Sequence, residues 1–285
     1  MSFLQGKLDR AYFEITNVCN AACDFCPGNK RPPRFVSHKE FSTVIDKLQG
    51  HIKHLYFHLM GEPLLHPDIR LFASEAREKG LLPMLTTNGL LAEEKGRELA
   101  LDGSLKKISF SLHSYEANRL GVSLDAYLRG CTLMAETASA LGTVSVFRLW
   151  NEGGQAELNH AIVSYLTRRY GEDWTKTRNG YRLKDNIFLE YGLHFDWPTV
   201  DGAAETEAPR FCYALRKQIG ILSDGTVVPC CLDSEGAIPL GNLFTDSLDN
   251  ILESPRAKRI YDGFSGHSAV EELCQNCGYA TRFMR

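Results

Sequence analysis

The sequence has no long hydrophobic run, no marked excess of one charge and no segment typical of export. No apolar stretch approaches the roughly 18 residues that a membrane-spanning helix needs. Residues 1–7 lack the apolar core of a secretory signal. The formal net charge is −3 and the basic runs are short, so there is no electrostatic footprint for nucleic acid. We therefore expect a cytoplasmic protein that binds neither a membrane nor nucleic acid.

Internal repeats and low-complexity tracts are also missing from the chain. Its 285 residues, of which 44% are apolar and 24% charged, are ordinary for a globular protein that buries a substantial core. This length suits one large domain with a smaller one beside it.

Cysteine is what the chain does have, with nine residues. In a cytosolic protein this number favours metal or redox chemistry over a disulfide scaffold. Cys19, Cys23 and Cys26 follow a C-x3-C-x2-C spacing that places three sulfurs on one short loop. Iron–sulfur clusters more often have four cysteine ligands, so a triplet leaves one iron open. A zinc site, a disulfide with a spare thiol and simple burial remain alternatives.

At these residues the sequence resembles the radical S-adenosylmethionine (SAM) superfamily, whose signature has an aromatic residue before the last cysteine. Phe25 occupies that position. The resemblance implies a [4Fe–4S] cluster whose open iron binds SAM. It also implies that one electron from the cluster cleaves SAM to a 5′-deoxyadenosyl radical.

The hydrophobic pattern predicts an α/β fold in which strands and helices alternate. Six strands are predicted, at Tyr12–Thr16, His54–Leu59, Pro83–Thr87, Lys107–Leu112, Thr143–Leu149 and Asn186–Tyr191. Five helices are predicted between them, at Lys39–Gln49, Pro67–Lys79, Ala92–Leu101, Leu124–Ala140 and Gln155–Tyr170. This rhythm matches the partial (β/α)6 TIM barrel of radical SAM proteins, with the chemistry at the carboxyl ends of the strands.

The resemblance also suggests where SAM binds. Gly61, Glu62 and Pro63 match the GEP motif that holds the SAM amino group, Asn88 shapes the pocket in relatives, and Ser111 contacts the carboxylate or ribose. Taken alone, the GEP tripeptide would be an ordinary turn, and Asn88 a left-handed turn residue before a glycine.

Several polar residues near strand ends are candidates for the chemistry. Arg148 and Asn151 are expected to contact SAM, and Arg148, His113 and Glu152 are candidate catalytic residues. Glu152 could act as the base that an alcohol oxidation needs, although a solvated surface position is an equal alternative. For His113 a hydrogen bond to a loop is the alternative. Further pocket candidates lie at the end of the sixth strand: Glu190, Tyr191, His194 and Asp196.

A second cysteine set follows a linker at residues 196–210, which divides a barrel domain at 1–195 from a small domain at 211–285. Its spacing resembles the opening of SPASM and twitch modules, which hold auxiliary clusters. Four cysteines, enough for one auxiliary [4Fe–4S] cluster, are candidate ligands: Cys212, Cys230, Cys274 and Cys277. Cys231 could compete with Cys230, and a zinc ribbon is the alternative to a cluster.

The predicted function is a radical SAM oxidoreductase that dehydrogenates a small polar molecule, such as a sugar or aminocyclitol, and passes an electron to the auxiliary cluster. The chain most resembles twitch-type dehydrogenases, such as those acting on scyllo-inosamine. A maturase of ribosomal peptides is the main alternative, although the first strand begins near residue 11 and leaves no room for a leader-peptide domain. A non-catalytic iron–sulfur or zinc protein is a further alternative. The implied partners are the substrate and a reductase such as flavodoxin or ferredoxin.

Overall fold

A computed structural model describes residues 8–118, 121–200 and 211–283 of the chain. Six parallel strands form the main sheet in the order β1-β2-β3-β4-β5-β8. Their bounds are β1 Arg10–Phe13, β2 His54–Tyr56, β3 Leu82–Thr87, β4 Lys107–Ser111, β5 Val144–Glu152 and β8 Ile187–Leu193. All five pairings are parallel and the sheet does not close on itself, which confirms the predicted partial barrel.

Five helices connect these strands and pack on one side of the sheet. They are α1 His38–Leu48, α2 Ile69–Glu78, α3 Arg97–Leu101, α4 Leu124–Ala140 and α5 Asn159–Tyr170. The helices bury apolar stripes against the strands, as Phe41, Val44 and Leu48 of α1 do. The capping box before α1 is present, because the side chains of Ser37 and Glu40 each accept a backbone N–H of the other residue.

Some boundaries differ from the prediction. The fifth strand continues to Glu152 instead of ending at Leu149, and α5 starts at Asn159 instead of Gln155. The third helix begins as a π-helical turn at Ala92–Gly96. The end of β5 was not recognised in the sequence because residues 151–152 are polar. Polar residues occur at the end of a partly exposed strand as readily as in a loop.

A hairpin that was not predicted lies between α5 and the sixth parallel strand. It consists of β6 Thr175–Thr177 and β7 Gly180–Lys184, which pair in antiparallel fashion and extend the sheet beyond β8. The two strands are short, charged and mostly exposed, so they lack the buried alternation that identifies a strand in a sequence.

The C-terminal part continues the same sheet on the other side. Strand β9 Gln218–Ile221 pairs in parallel with β1, and β10 Thr226–Val228 and β11 Gly241–Asn242 follow it in antiparallel order. Three short helices complete this part: α6 Leu248–Leu252, α7 Pro255–Ser265 and α8 Glu272–Gln275. The domain boundaries at 195 and 211 stay a prediction. Residues 201–210 of the proposed linker lie outside the described residues.

Among the described residues, no helix is both long enough and apolar enough to cross a bilayer.

Candidate functional site

The first cysteine triplet lies on the loop after β1 and lines a cavity of about 590 Å³ at the carboxyl edge of the sheet. Most of the residues expected to bind SAM share its wall: Phe25, Gly61, Glu62, Asn88 and Ser111. The cavity is within the size range of pockets that hold small ligands. The structure thus brings together residues that are up to 92 positions apart in the chain, from Cys19 to Ser111.

Two asparagine amides hold the cysteine loop. Asn118 accepts a hydrogen bond from the Ala22 N–H at 2.7 Å, and its Nδ2 lies 3.0 Å from the Cys23 Sγ. Asn88 Nδ2 lies 3.8 Å from the Cys19 Sγ. Amide donors near sulfur are typical of second contacts that orient metal ligands. Asn118 was not identified from the sequence, because nothing in its local pattern signals a contact with a residue 95 positions away.

Gly61 brings the GEP turn directly against the end of β1. Its φ is +75°, and a Cβ there would collide with the Thr16 carbonyl oxygen and approach the Asn17 carbonyl carbon to 3.0 Å. The next residue, Glu62, donates its N–H to the Val18 carbonyl at 2.8 Å. Only glycine allows this contact, which fixes the GEP turn beside the loop that carries Cys19.

The Glu62 carboxylate is buried and accepts three hydrogen bonds from the chain itself. The donors are the Leu64 N–H at 3.0 Å, the Thr87 hydroxyl at 2.8 Å and the Asn88 N–H at 2.7 Å. Burial nevertheless raises its pKa to about 7. The carboxylate therefore ties the GEP turn to the end of β3. Its predicted contact with SAM stays a prediction.

His113 lies in a neighbouring cavity of about 300 Å³ that Phe25, Asn151 and His194 also line. Its Nδ1 donates to the Arg148 carbonyl at 3.1 Å, and burial lowers its pKa to about 4. The ring is therefore neutral near pH 7 and holds the end of β5. This geometry matches the loop-bonding alternative, and a catalytic role stays untested.

Asn151 and Glu152 do not reach the cysteine cavity. The Asn151 amide donates to the Gln155 carbonyl at 2.6 Å and pairs with the Asn159 amide at 3.0 Å, so it fastens the connection between β5 and α5. Glu152 is exposed and lines a separate open cavity beside the β6–β7 hairpin, together with Tyr191. A base role for Glu152 remains a prediction that this position does not favour.

The Arg148 side chain lies in the interior of the partial barrel, here called the lumen, near Glu190, Tyr12 and Tyr56. Its guanidinium lies over the Trp150 ring, 4.4 Å from the ring centroid. Its Nε is 4.0 Å from the Glu190 carboxylate, too far for a hydrogen bond. Of the other two candidates after the sixth strand, His194 lines the His113 cavity, and the Asp196 backbone lies near Gly278.

The second cysteine set also converges. Cys212, Cys230, Cys274 and Cys277 line one small, apolar cavity in the C-terminal part. Cys231 does not line it. It lines a neighbouring cavity of about 490 Å³, together with Cys212, Cys230, Cys277 and Tyr12. Of the two adjacent cysteines, Cys230 is the one that lines the small apolar cavity with Cys212, Cys274 and Cys277. Competition by Cys231 for the ligand role stays a prediction.

An aromatic stack lies in the lumen between the two cavities. The Tyr12 ring, next to the second cysteine set, stacks on Tyr56 with centroids 4.7 Å apart. His58, which lines the first cavity, packs edge-on against both tyrosines at 5.5 and 5.7 Å. His58 was missed in the sequence, although the alternation of residues 54, 56 and 58 could have indicated its lumen position.

Within residues 8–118, 121–200 and 211–283, no group of three or more His, Cys, Asp and Glu is arranged to hold a single metal ion. Each cysteine set instead shares the wall of a cavity. Thiolates are the ligands that iron–sulfur clusters use, and the first set has room for a ligand beside it. Burial raises the pKa of both Cys23 and Cys212 to about 11, so these thiols would lose their protons if they bound a cluster.

Comparisons with known proteins identify a domain in the N-terminal part of the chain and another in the C-terminal part. Residues 13–139 match the radical SAM superfamily, and residues 212–278 match SPASM, an iron–sulfur cluster-binding domain. These two domains imply SAM and [4Fe–4S] clusters as cofactors. The matched regions contain all seven predicted cysteine ligands.

Two curated relatives illustrate the range of similar proteins. Fe-coproporphyrin III synthase of Methanosarcina barkeri is 30% identical over 128 residues, which is 44% of this chain and 29% of that protein. The antilisterial bacteriocin subtilosin biosynthesis protein AlbA of Bacillus subtilis is 25% identical over 299 residues, covering 94% of this chain and 65% of that protein. The chain thus spans less than two thirds of the length of either relative.

A solved structure supports the same fold. The crystal structure of BtrN in complex with AdoMet and 2-DOIA superposes with a TM-score of 0.60 at 17% identity, covering 96% of this chain and 94% of that chain. This likeness shows the fold. The two domain matches show that the chain belongs to the radical SAM superfamily and carries a C-terminal SPASM domain.

Proposed function

We propose that the chain is a radical SAM enzyme that oxidises a small polar substrate. Cys19, Cys23 and Cys26 would hold the [4Fe–4S] cluster beside SAM, and the second cysteine set would hold one auxiliary [4Fe–4S] cluster. When bound, these groups supply a 5′-deoxyadenosyl radical, which abstracts hydrogen from the substrate, and an acceptor for the surplus electron.

The observation that carries this proposal is the arrangement of two cysteine-lined cavities on either side of one lumen. His58 lines the first cavity, Tyr12 lines a cavity next to the second set, and both contact Tyr56. A substrate held in this lumen would lie between the site of hydrogen abstraction and the electron acceptor. A net two-electron oxidation, such as that of an alcohol to a ketone, needs an electron acceptor near the substrate, and this arrangement would supply one.

The chain's own residues position SAM in this proposal. Gly61 holds the GEP turn against the cysteine loop, Glu62 fixes Asn88, and Ser111 completes the wall. The lumen also contains Glu190, a carboxylate better placed than Glu152 to accept the proton that an alcohol loses on oxidation. A reductase such as flavodoxin or ferredoxin would supply the first electron.

The first test compares two cysteine variants of the anaerobically reconstituted protein. We expect about eight irons per chain and formation of 5′-deoxyadenosine after reduction with dithionite. Cys23→Ala should abolish this product. Cys131→Ala, the same change at a buried core cysteine outside both cysteine sets, should retain it. Product from the Cys23 variant would contradict the cluster assignment. About four irons with stoichiometric zinc would instead support a zinc site in place of the auxiliary cluster.

Maturation of a ribosomal peptide is the second candidate. It is favoured by the similarity to AlbA, which extends over 94% of this chain. A precursor-peptide gene beside the gene for this protein, and binding of that peptide by the reconstituted enzyme, would favour this function over small-molecule oxidation.

A further inference from the structure

Arg148 is buried in the lumen without the hydrogen bonds that a guanidinium normally makes. Its side chain is 13% exposed, and its Nε is buried without a hydrogen-bond partner among the described residues. A guanidinium carries five N–H donors, and leaving such donors unpaired in a protein interior is costly. A buried donor of this kind requires an explanation, and a ligand that accepts its hydrogen bond supplies one.

The Trp150 ring stacks on the guanidinium, with its centroid 4.4 Å from the Arg148 Cζ. Stacking of this kind fixes the plane of the group and leaves its N–H edge free to bond within that plane. The planar fork matches the two oxygens of a carboxylate or phosphate. Arg148 is thus oriented as a receptor for an oxyanion.

The charges around Arg148 leave a positive excess. The Glu190 carboxylate faces Arg148, with one oxygen 4.0 Å from the Arg148 Nε. Its other oxygen lies 4.0 Å from the Lys107 Nζ, so the two cations share this carboxylate. The other titratable neighbours are neutral near pH 7: Tyr12, Tyr56 and Tyr279 are phenols, and burial with the nearby Arg148 charge lowers the pKa of His58 to about 3. Two cations therefore share one anion in a partly buried space, which favours an anionic occupant.

We propose that the substrate of this enzyme carries a carboxylate or phosphate group, held by two N–H groups of Arg148 in the lumen. Arg148 is not among the residues that line the cysteine cavity, where most of the residues expected to bind SAM lie, so we assign the oxyanion to the substrate. This inference rests on the proposed function, and it narrows the substrate to small anionic molecules, such as hydroxy acids or sugar phosphates.

Equilibrium binding to the holoenzyme tests the inference without turnover. Thermal unfolding midpoints are measured anaerobically, with SAM present and ionic strength held constant, against increasing glycolate, inorganic phosphate, ethylene glycol or ethanolamine. We expect glycolate or phosphate to stabilise the protein, and the neutral and cationic probes to have no effect. Comparison of the first two probes distinguishes a carboxylate from a phosphate ligand.

Variants assign the binding to the lumen. Arg148→Gln should weaken binding of the anion roughly tenfold or more, since charge-assisted hydrogen bonds are lost. Arg148→Lys keeps the charge without the fork and should lie between the Gln variant and the wild type. Arg182→Gln, at an exposed arginine of the β6–β7 hairpin, should bind as the wild type does.

Three results would overturn the proposal: no stabilisation by either anion, wild-type affinity in Arg148→Gln or Arg148→Lys, or loss of SAM affinity in Arg148→Gln, which would make Arg148 a SAM contact. The proposed function is checked separately by 5′-deoxyadenosine formation, which needs no substrate. Its failure would leave the anion-binding result standing.

Discussion

At the scale of single residues, Gly61 sets the distance between the GEP turn and the cysteine loop. Its φ of +75° and its close contact with the Thr16 carbonyl leave no room for a side chain. Glu62, next to it, then fixes Asn88, which in turn reaches Cys19. The close approach of Gly61 to the Thr16 carbonyl therefore helps to position the GEP turn, Asn88 and the cysteine loop of the candidate SAM site.

Gly61→Ala should destabilise the protein for two separable reasons. Positive φ alone costs an L-residue about 1–2 kcal/mol, and the steric clash adds a further ~1–3 kcal/mol. Gly50→Ala is the matched control, because Gly50 has a φ of +81° and nothing within 4 Å of a built Cβ. Chemical denaturation of both variants measures the difference. Equal losses of unfolding free energy would show that the close contact at Gly61 carries no cost.

Site residues that belong to local sequence motifs could be predicted from the sequence. Site residues that depend on contacts between distant parts of the chain could not. The cysteine triplet and the GEP turn were identified because their spacing is itself the signal. Asn118 and His58 were not, because their roles depend on partners brought close only by folding. The lumen position of Arg148 likewise depends on which face of β5 turns inward, and a single sequence does not fix that.

At the scale of elements, the connection between β4 and α4 clamps the cysteine loop. Asn118 lies in this connection, accepts the Ala22 N–H and approaches the Cys23 Sγ, while its amide also donates to the Ser114 carbonyl at 2.6 Å. The loop that holds the first cysteine set is thus supported by a segment almost 100 residues later in the chain.

Asn118→Ala should loosen the first cluster without unfolding the barrel. We expect iron loss to a chelator from this cluster to become roughly tenfold faster, because removal of groups that orient metal ligands weakens binding by about that much. Asn250→Ala, at an exposed position of α6, is the control and should match the wild type. Chelation kinetics, with the cluster followed by its visible absorption, provide the measurement. An unchanged rate for Asn118→Ala would show that the amide does not support the loop.

The six parallel strands were predictable because buried apolar segments alternate with amphipathic helices over most of the barrel. The β6–β7 hairpin was not, since its exposed, charged strands have no apolar face to reveal them. The additional length of β5 was missed for a related reason, as its last two residues, Asn151 and Glu152, are polar.

At the scale of the whole molecule, the two matched domains share one sheet. Strand β9 pairs in parallel with β1, and the buried Glu14 carboxylate accepts the Ser223 N–H at 3.1 Å and an Arg31 N–H at 2.6 Å. Ile219 and Ile221 of β9 are fully buried against the common core. The cysteine sets are therefore held at a fixed separation by continuous backbone hydrogen bonding.

This continuity predicts cooperative unfolding across the proposed domain boundary. Amides of β1 and β9 should exchange with deuterium at the same rate, which is set by unfolding of the whole protein. Neither strand can separate from the sheet without breaking the backbone hydrogen bonds between the two. Amides of the exposed hairpin strand β6 serve as an internal control and should exchange faster. Hydrogen exchange with peptide-level mass spectrometry measures all three. Fast exchange in β9 with protection retained in β1 would show two independent folding units.

The pairing of β1 with β9 also has a consequence for biosynthesis. The first strand leaves the ribosome early, but its neighbour on one side is made only some 200 residues later, at Gln218–Ile221. At ordinary elongation rates the nascent chain waits roughly 10–40 s with that edge unpaired. During that time β1 presents an unpaired strand edge, which is the kind of surface through which incompletely folded chains aggregate.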